Sequence, residues 1–354
     1  MERRKSKAIK VGNIGIGGEY PITVQSMTNT DTNNIGATYE QIMRLTRAGC
    51  DVVRLAVPSV EAAQTFRVLR DRGVTVPLVA DVHFDYKIAI AAAKAGADKI
   101  RINPGNIGSK DKISLVVDVC REMGLPIRIG VNSGSLEKDI LAKYGAPTAE
   151  ALAESAIYHA SLLEELDFTD IAISVKASDV SSMIKANRIL AEKTPYPLHL
   201  GVTEAGARER AIVKSSIGVG TLLAEGIGDT VRVSLTDDPV EEVKIARHIL
   251  RSLDLDVSRG MDIVSCPTCG RTKIDLIALV RDFEELAQKE GIADKNIKVA
   301  LMGCVVNGPG EAREADIGIA GGVGEALLFK RGQTIRKIKE ENILKELIDE
   351  IKRM

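Results

Sequence analysis

The sequence predicts an α/β protein: a (β/α)8 TIM-like barrel followed by a smaller α+β domain. The first observation is that eight short segments rich in β-branched residues alternate with longer helical segments between residues 21 and 235. Eight strand–helix repeats are the count of this barrel, whereas a doubly wound sheet usually has fewer strands and a Gly-x-Gly-x-x-Gly turn that is missing here. The second observation is a change of pattern after about residue 258, which predicts domains at 1–257 and 258–354.

The composition limits the classes of function. The 354 residues include 48 Lys and Arg against 49 Asp and Glu, so the formal net charge is −1. A nucleic-acid-binding surface needs clustered excess cations, and 5 Phe, 6 Tyr and no Trp offer little for base stacking. No apolar run is long enough to span a membrane, and the basic start lacks the apolar core of a signal peptide. We therefore expect a cytoplasmic protein that binds neither nucleic acid nor membranes.

Each barrel strand is predicted from a short β-branched run that precedes an Ala-rich or amphipathic stretch. The predicted strands are Pro21–Met27, Asp51–Val57, Val76–Val82, Asp98–Asn103, Pro126–Asn132, Asp170–Lys176, Pro197–Thr203 and Thr230–Leu235. The clearest helices between them are Tyr86–Ala95, Lys110–Met123, Val180–Glu192 and Pro239–Leu253. The second domain is predicted to contain helix Ile274–Lys289, strand Lys298–Met302, a strand near Asp316–Ala320 and helix Asn342–Lys352.

The predicted strands carry charged residues at positions that face the barrel lumen. Side chains alternate along a strand, so an arginine between two apolar residues that face the helices must point inward. Four arginines have this pattern: Arg54, Arg101, Arg128 and Arg232. The same alternation directs nine further polar residues inward: Asp81, His83, Asn103, Asn132, Ser174, Lys176, His199, Thr203 and Ser234.

Such a lumen needs negative charge, because each unpaired buried charge costs several kcal/mol. One explanation is an internal ion-pair network around Asp81. The other is a small bound polyanion, which we favour for five cations on five strands, mostly near the strand ends where barrel active sites lie. We therefore treat these thirteen polar residues as candidate substrate-binding residues. His83 and Glu204 are also candidates for proton transfer, although a structural role is equally compatible with each alone.

The cysteines contain the most specific local pattern. Cys266 and Cys269 form a Cys-x-x-Cys turn, and Cys304 follows the next predicted strand. Three thiolates suit an iron–sulfur cluster or zinc, and a redox dithiol is a third alternative. Glu311 is the nearby candidate for a fourth ligand, and a helix-start carboxylate is its structural alternative. The remaining two cysteines, Cys50 and Cys120, are interpreted as packing residues.

The cysteine motifs resemble those of the 4-hydroxy-3-methylbut-2-enyl diphosphate synthase family. The resemblance lies first in Cys266-Pro-Thr-Cys-Gly-Arg271 and Met302-Gly-Cys-Val-Val-Asn-Gly-Pro-Gly-Glu-Ala312. The barrel segments that resemble the same family are Val24-Gln-Ser-Met27, Ala80-Asp-Val-His-Phe84, Arg101-Ile-Asn-Pro-Gly105 and Gly201-Val-Thr-Glu-Ala-Gly206. The similarity covers nearly the whole chain and matches the compact bacterial form, which has two domains.

The resemblance implies an oxidoreductase of non-mevalonate isoprenoid biosynthesis. Its reaction converts 2-C-methyl-D-erythritol 2,4-cyclodiphosphate to (E)-4-hydroxy-3-methylbut-2-enyl diphosphate by two-electron reductive ring opening with loss of water. The family's [4Fe-4S] cluster has three cysteine ligands and one glutamate, here Cys266, Cys269, Cys304 and Glu311. The implied partners are reduced ferredoxin or flavodoxin as electron donor and a second copy of the chain in a homodimer.

Two residues are expected to act in the reaction itself. We hypothesise that Glu311 gives way at one iron and thereby opens a position for the substrate, and that Glu204 donates a proton to the departing hydroxyl. The main alternative to the whole interpretation is a phosphate-ligand barrel lyase or aldolase whose second domain carries a structural zinc ion.

Overall fold

The computed structural model describes residues 2–256, 260–306 and 312–354. The chain divides into two compact units, residues 1–256 and 257–354, and each is described here by itself. Among the helices described, none is long and apolar enough to cross a membrane.

The first unit is an eight-stranded parallel barrel, which confirms the predicted (β/α)8 class. An antiparallel hairpin of β1 (Ile9–Val11) and β2 (Ile14–Ile16) precedes it. The barrel strands are β3 Thr23–Met27, β4 Val52–Ala56, β5 Leu78–Asp81, β6 Lys99–Ile102, β7 Ile127–Asn132, β8 Ile171–Lys176, β9 His199–Leu200 and β10 Thr230–Val231. Hydrogen-bonded neighbours run in the order β8-β7-β6-β5-β4-β3-β10-β9, and a parallel bridge between Ile173 and Leu198 joins the two ends.

Helices cover the outside of the barrel. Their bounds are α1 Ile35–Arg47, α2 Val60–Ala63, α3 Thr65–Asp71, α4 Tyr86–Lys94, α5 Pro104–Ile107, α6 Lys110–Met123, α7 Lys138–Tyr144, α8 Ala149–Glu164, α9 Val180–Lys193, α10 Arg208–Ala224 and α11 Pro239–Arg251. The apolar residues beside the strand arginines, such as Leu55, Ile100 and Ile129, are fully buried in the core that these helices complete. The strand residues therefore alternate as predicted: the apolar neighbours face the helices and the arginines face the lumen.

The N-terminal hairpin was not predicted, and it closes one end of the barrel. Ile9, Val11 and Ile16 form a small apolar cluster with Ala172 of β8. Ala172 has the same strand parity as Ser174 and Lys176, so it faces the lumen at the amino-terminal end of the strand. The hairpin is therefore the floor beneath the lumen.

The last two barrel strands are shorter than predicted. Beyond Leu200 and Val231 the chain leaves the regular ladder, and Glu204 adopts a left-handed backbone conformation with a φ of 51°. Residues in this conformation are uncommon outside turns. The departure places Thr203 and Ser234 at the rim of the lumen rather than along a strand.

In its described residues, 260–306 and 312–354, the second unit contains a five-stranded sheet and two α-helices. Its strands, in sheet order, are β11 Asp262–Ser265, β12 Lys298–Met302, β13 Ile317–Gly321, β14 Glu325–Lys330 and β15 Gln333–Lys339. The helices are α12 Leu276–Lys289 and α13 Ile343–Lys352. Three strands of this sheet were missed. β11 and β15 are edge strands in which a single residue, Ile338, is buried, so they lack the apolar runs that identify buried strands.

Candidate functional site

The carboxyl ends of the barrel strands surround a cavity of about 180 Å³. Its lining residues are Arg54, Asp81, His83, Arg101, Arg128, Gly130, Asn132, Ser174, Lys176, Thr203, Arg232 and Ser234. Eleven of the thirteen candidate substrate-binding residues are thus brought together at the face where barrel enzymes place their active sites. Their role in binding remains a prediction.

Carboxylates pair with only part of the positive charge around this cavity. The buried carboxylate of Asp81 lies 3.0 Å from Arg101 Nη1, 3.6 Å from Arg54 Nε and 3.7 Å from His83 Nε2. Burial alone would raise the pKa of Asp81, but Arg54, the hydrogen bond from His83 and Arg101 together hold that pKa well below its usual range. Asp81 is therefore ionised at neutral pH, and it neutralises one of the two arginines beside it.

Arg232 has a partner that sequence analysis missed. Glu242, on α11, accepts hydrogen bonds from Arg232 Nε at 3.2 Å and Nη2 at 3.1 Å, and it also accepts from Ser26 Oγ at 2.8 Å. The Glu242 side chain is buried, although it starts from a helix outside the barrel. No signal in a helix sequence shows that one carboxylate reaches between two strands into the lumen.

Two cations of the cavity have no carboxylate partner in the part of the chain that the structure describes. Arg128 donates to the amide oxygen of Gln25 at 3.0 Å, and Lys176 is in no ion pair. Burial, together with the like charges of Arg54 and other lumen arginines, lowers the pKa of both groups well below their usual values. The same causes lower the pKa of Arg54 to about 10, even with Asp81 beside it. A polyanion in the cavity would relieve this repulsion.

Two glycines provide the space that the long cations occupy. A Cβ atom at Gly130 would lie 2.4 Å from Arg101 Nε. A Cβ atom at Gly201 would lie 2.6 Å from the Arg232 carbonyl oxygen and 3.2 Å from Lys176 Nζ. A side chain at position 130 would displace Arg101, and one at position 201 would collide with the Arg232 backbone and crowd Lys176.

Two of the predicted substrate-binding residues do not line the cavity. Asn103 is the N-cap of α5, and its Oδ1 accepts from Gly105 N at 3.0 Å. An Asn before a Pro is a typical helix start, and this signal was present in the sequence. His199 is fully buried deeper in the lumen, with Nδ1 3.4 Å from Thr230 Oγ1. Glu204, the proposed proton donor, is exposed at the rim and also lies outside the cavity lining.

The cysteine motif lies at one edge of the second sheet. β11 and β12 are parallel neighbours, so Cys266 and Cys304 follow adjacent strand ends, and Gly303 N donates to Cys266 Sγ at 3.2 Å. The backbone N–H of Arg271 donates to the Cys269 thiol and lowers its pKa. All three cysteines are free, and Cys269 is exposed.

This donor set fits a cluster by its chemistry and its placement on one edge. Across residues 2–256, 260–306 and 312–354, however, no three His, Cys, Asp or Glu side chains are close enough together to hold a metal ion. The predicted fourth ligand, Glu311, lies outside the described residues. The completed ligand set is therefore a proposal.

Fold and site together define a TIM-barrel enzyme class with a cationic lumen, extended by an α+β domain that carries three free cysteines at one sheet edge. Residues 6–247 match the family model described as GcpE TIM-barrel domain, and residues 262–353 match the GcpE protein C-terminal domain. The chain belongs to the GcpE family.

Curated relatives agree over the full length. A protein of Ruminiclostridium cellulolyticum named 4-hydroxy-3-methylbut-2-en-1-yl diphosphate synthase (flavodoxin) is 58% identical over 354 residues, which is 100% of this chain and 99% of the relative. A Clostridium perfringens protein of the same name is 57% identical over 348 residues, 98% of each chain. The family predicted from the motifs is thereby confirmed, and with it the oxidoreductase class.

Solved structures support the barrel fold alone. Type I 3-dehydroquinate dehydratase from Clostridium difficile superposes with a TM-score of 0.52 at 13% identity, covering 70% of this chain and 98% of its own. The 7,8-dihydropteroate synthase from Vibrio fischeri gives a TM-score of 0.50 at 11% identity, covering 71% and 99%.

Proposed function

We propose that this chain reduces 2-C-methyl-D-erythritol 2,4-cyclodiphosphate to (E)-4-hydroxy-3-methylbut-2-enyl diphosphate and water, and that its barrel cavity binds the diphosphate. The observation that carries the proposal is the excess of inward cations: five line the cavity, while Asp81 and Glu242 are the only carboxylates of the described residues that pair with any of them. The name shared by the full-length relatives supplies the reaction.

Arg128 and Lys176 are the proposed primary ligands of the phosphate oxygens. They lack carboxylate partners in the described chain, so they lose no ion pair when they bind an anion. Arg54 and Arg101 are already oriented by Asp81 and need little reorganisation to add a second anion. Charge-assisted hydrogen bonds of this kind each contribute about 1.5–3 kcal/mol.

The reaction takes up two electrons and one proton. One C–O bond of the ring breaks and the ring oxygen stays on phosphate, while one hydroxyl group leaves as water with the added proton. Glu204 is the proposed donor of that proton, because it is exposed at the rim next to Thr203, which lines the cavity. His83 is the second candidate, since it lines the cavity and its ring is half exposed beside Asp81.

The proposed cofactor is a [4Fe-4S] cluster held by Cys266, Cys269, Cys304 and Glu311. When bound it supplies the two electrons one at a time, from reduced flavodoxin or ferredoxin. The relatives' names, which specify flavodoxin, support the first of these donors. A homodimer in the cytoplasm completes the proposal.

The decisive experiment is anaerobic purification of the full chain, followed by absorption and electron spin resonance spectra with and without the cyclic diphosphate. We expect a brown protein with absorbance near ~400 nm, about four irons per chain and a spin-resonance signal that changes on adding substrate. A colourless protein with one zinc per chain would refute the proposal and favour a lyase or aldolase with a structural zinc.

A further inference from the structure

The inward residues below the cavity form layers that follow from the strand register. The pairing of Asp81 with Arg101 and of Val79 with Lys99 puts Lys99 one layer below Arg101, on the same face of β6. Ala172 and Thr230 face inward at the corresponding low positions of β8 and β10, and Ala172 packs on the hairpin floor. Lys99 therefore lies near the bottom of the lumen, as a sixth inward cation that sequence analysis missed.

Four nitrogen atoms in these lower layers are buried without a hydrogen-bond partner in the described part of the chain: Lys99 Nζ, Gln25 Nε2, Arg128 Nε and His199 Nε2. The four side chains come from four different strands, and each is at most 1% exposed. Strand pairing and hydrogen bonds connect them: Arg128 bonds to Gln25, and Lys99 and Arg128 come from the paired strands β6 and β7. His199 contacts Thr230, whose strand pairs with the strand of Gln25.

The chemistry of these four nitrogen atoms indicates which kind of ligand could accept their hydrogen bonds. The ammonium, the guanidinium nitrogen and the amide nitrogen can only donate hydrogen bonds. Gln25 Oε1 already accepts from Arg128, and with the Thr230 hydroxyl as donor to His199 Nδ1 the neutral imidazole keeps Nε2–H as a further donor. Thr23 Oγ1 is also buried without a partner among the described residues, and one hydroxyl cannot accept from all four nitrogen atoms. A water molecule can accept two of these hydrogen bonds, but its own two O–H groups would then need acceptors. An anion accepts from all the donors and offsets their charge.

The site is also suited to a small ligand. The hairpin of β1 and β2 closes it from below, and Arg128 separates it from the cavity above. The inward residues Ala172 and Thr230, near the amino-terminal ends of β8 and β10, have short side chains. Burial and the neighbouring charges of Arg128 and Arg54 lower the pKa of Lys99, and an adjacent anion is the interaction that would restore its ammonium form.

We propose that the lower lumen is a binding site for a monatomic anion of the halide class, held by Lys99, Arg128, Gln25 and His199 beneath the diphosphate cavity. The anion neutralises charge that would otherwise add to the repulsion between the cavity arginines, and it fixes the Arg128 guanidinium from below. The anion site is formed by lumen side chains alone and does not depend on the proposed reaction.

The test uses bromide as the probe on the full chain. Crystals grown with potassium bromide and saturating inorganic pyrophosphate, which fills the upper cavity, should show an anomalous bromine peak within hydrogen-bonding distance of Lys99 Nζ and Arg128 Nε. Density there without anomalous signal means water, and it would overturn the proposal. A bromine peak confined to the upper cavity would overturn it as well.

A solution measurement provides the second arm. At constant ionic strength with pyrophosphate present, replacing gluconate by bromide should raise the melting temperature of the wild-type chain. Lys99→Met should abolish that rise, and the exposed control Lys94→Met should retain it. An equal rise in wild type and Lys99→Met would contradict the site. If Lys99→Met does not fold, the diffraction experiment on wild type still decides.

Discussion

Replacing Lys176 by Met should weaken diphosphate binding and stabilise the fold at the same time. Lys176 lines the cavity, is buried, and has no carboxylate partner in the described chain. Methionine keeps most of the unbranched side chain that packs beside Gly201, and it removes only the ammonium. Binding and stability should therefore change in opposite directions, which a purely structural role for Lys176 does not predict.

Both magnitudes follow from the burial of the charge. Loss of a charge-assisted hydrogen bond costs about 1.5–3 kcal/mol, or roughly 10- to 150-fold in the dissociation constant. Without an anion the folded chain must keep a buried ammonium or release its proton. Releasing it at pH 7 from an ordinary lysine pKa of about 10.4 costs about 4.6 kcal/mol, at about 1.36 kcal/mol per pH unit. This value is the ceiling, and we expect Lys176→Met to gain about 1–4 kcal/mol.

The assay pairs calorimetric titration with the cyclic diphosphate and urea unfolding of the same ligand-free preparation. Lys87→Met, an exposed lysine on α4, provides the matched control, with expected changes within about 0.5 kcal/mol in both measurements. A Lys176→Met protein that binds with wild-type affinity, or that is less stable than wild type, would show that the cavity cations do not act as described.

Four further predictions concern separate parts of the molecule. Glu242→Gln should destabilise the chain by about 3–5 kcal/mol in urea unfolding, because it leaves Arg232 buried without its carboxylate; a loss below about 1 kcal/mol would contradict the pairing. Burial lowers the pKa of His159 in the folded state, so its contribution to stability is complete above the unfolded value of about 6.5 and is lost as pH falls below it. The free energy of unfolding should therefore be lower at pH 5.5 than at pH 7.5. The decrease should be smaller in His159→Gln, because this variant lacks the contribution of the imidazole. Cys304→Ser should abolish the absorbance near ~400 nm yet leave pyrophosphate affinity unchanged, whereas retained colour would exclude Cys304 as a ligand. Glu204→Gln should keep the spectrum of the wild-type protein but lose most turnover, and near-normal turnover would remove Glu204 as proton donor.

The lumen could be predicted from sequence because strand alternation is a local rule. On a barrel strand, an arginine between two apolar residues that face the helices must point into the lumen. Arg54, Arg101 and Arg128 do line the lumen cavity. The same rule applied to Lys99 would have found it, since it precedes Arg101 by two residues. Asn103 also caps α5, a role that its place before Pro104 indicated, and its part in substrate binding stays a prediction.

Other parts of the site could not be predicted, because they depend on contacts between distant segments. Glu242 is one acidic residue among several on α11, and only the packing of that helix against β3 selects it for the lumen. The hairpin floor and the edge strands of the second sheet are short or exposed. They therefore lack the apolar periodicity on which a sequence-based assignment depends.

The near-neutral net charge of the chain is divided unevenly between the barrel lumen and the remaining residues. Six inward cations (Arg54, Lys99, Arg101, Arg128, Lys176 and Arg232) against Asp81 and Glu242 leave an excess of four positive charges inside a chain of net charge −1. The rest of the chain therefore carries a net charge of −5. Such a surface does not attract a diphosphate at long range, so attraction must be confined to the cavity mouth, where low-dielectric walls focus the field. We therefore expect selectivity for a small anion over polyanions such as nucleic acid, because the excess cations lie in the lumen and the rest of the chain has an excess of negative charge.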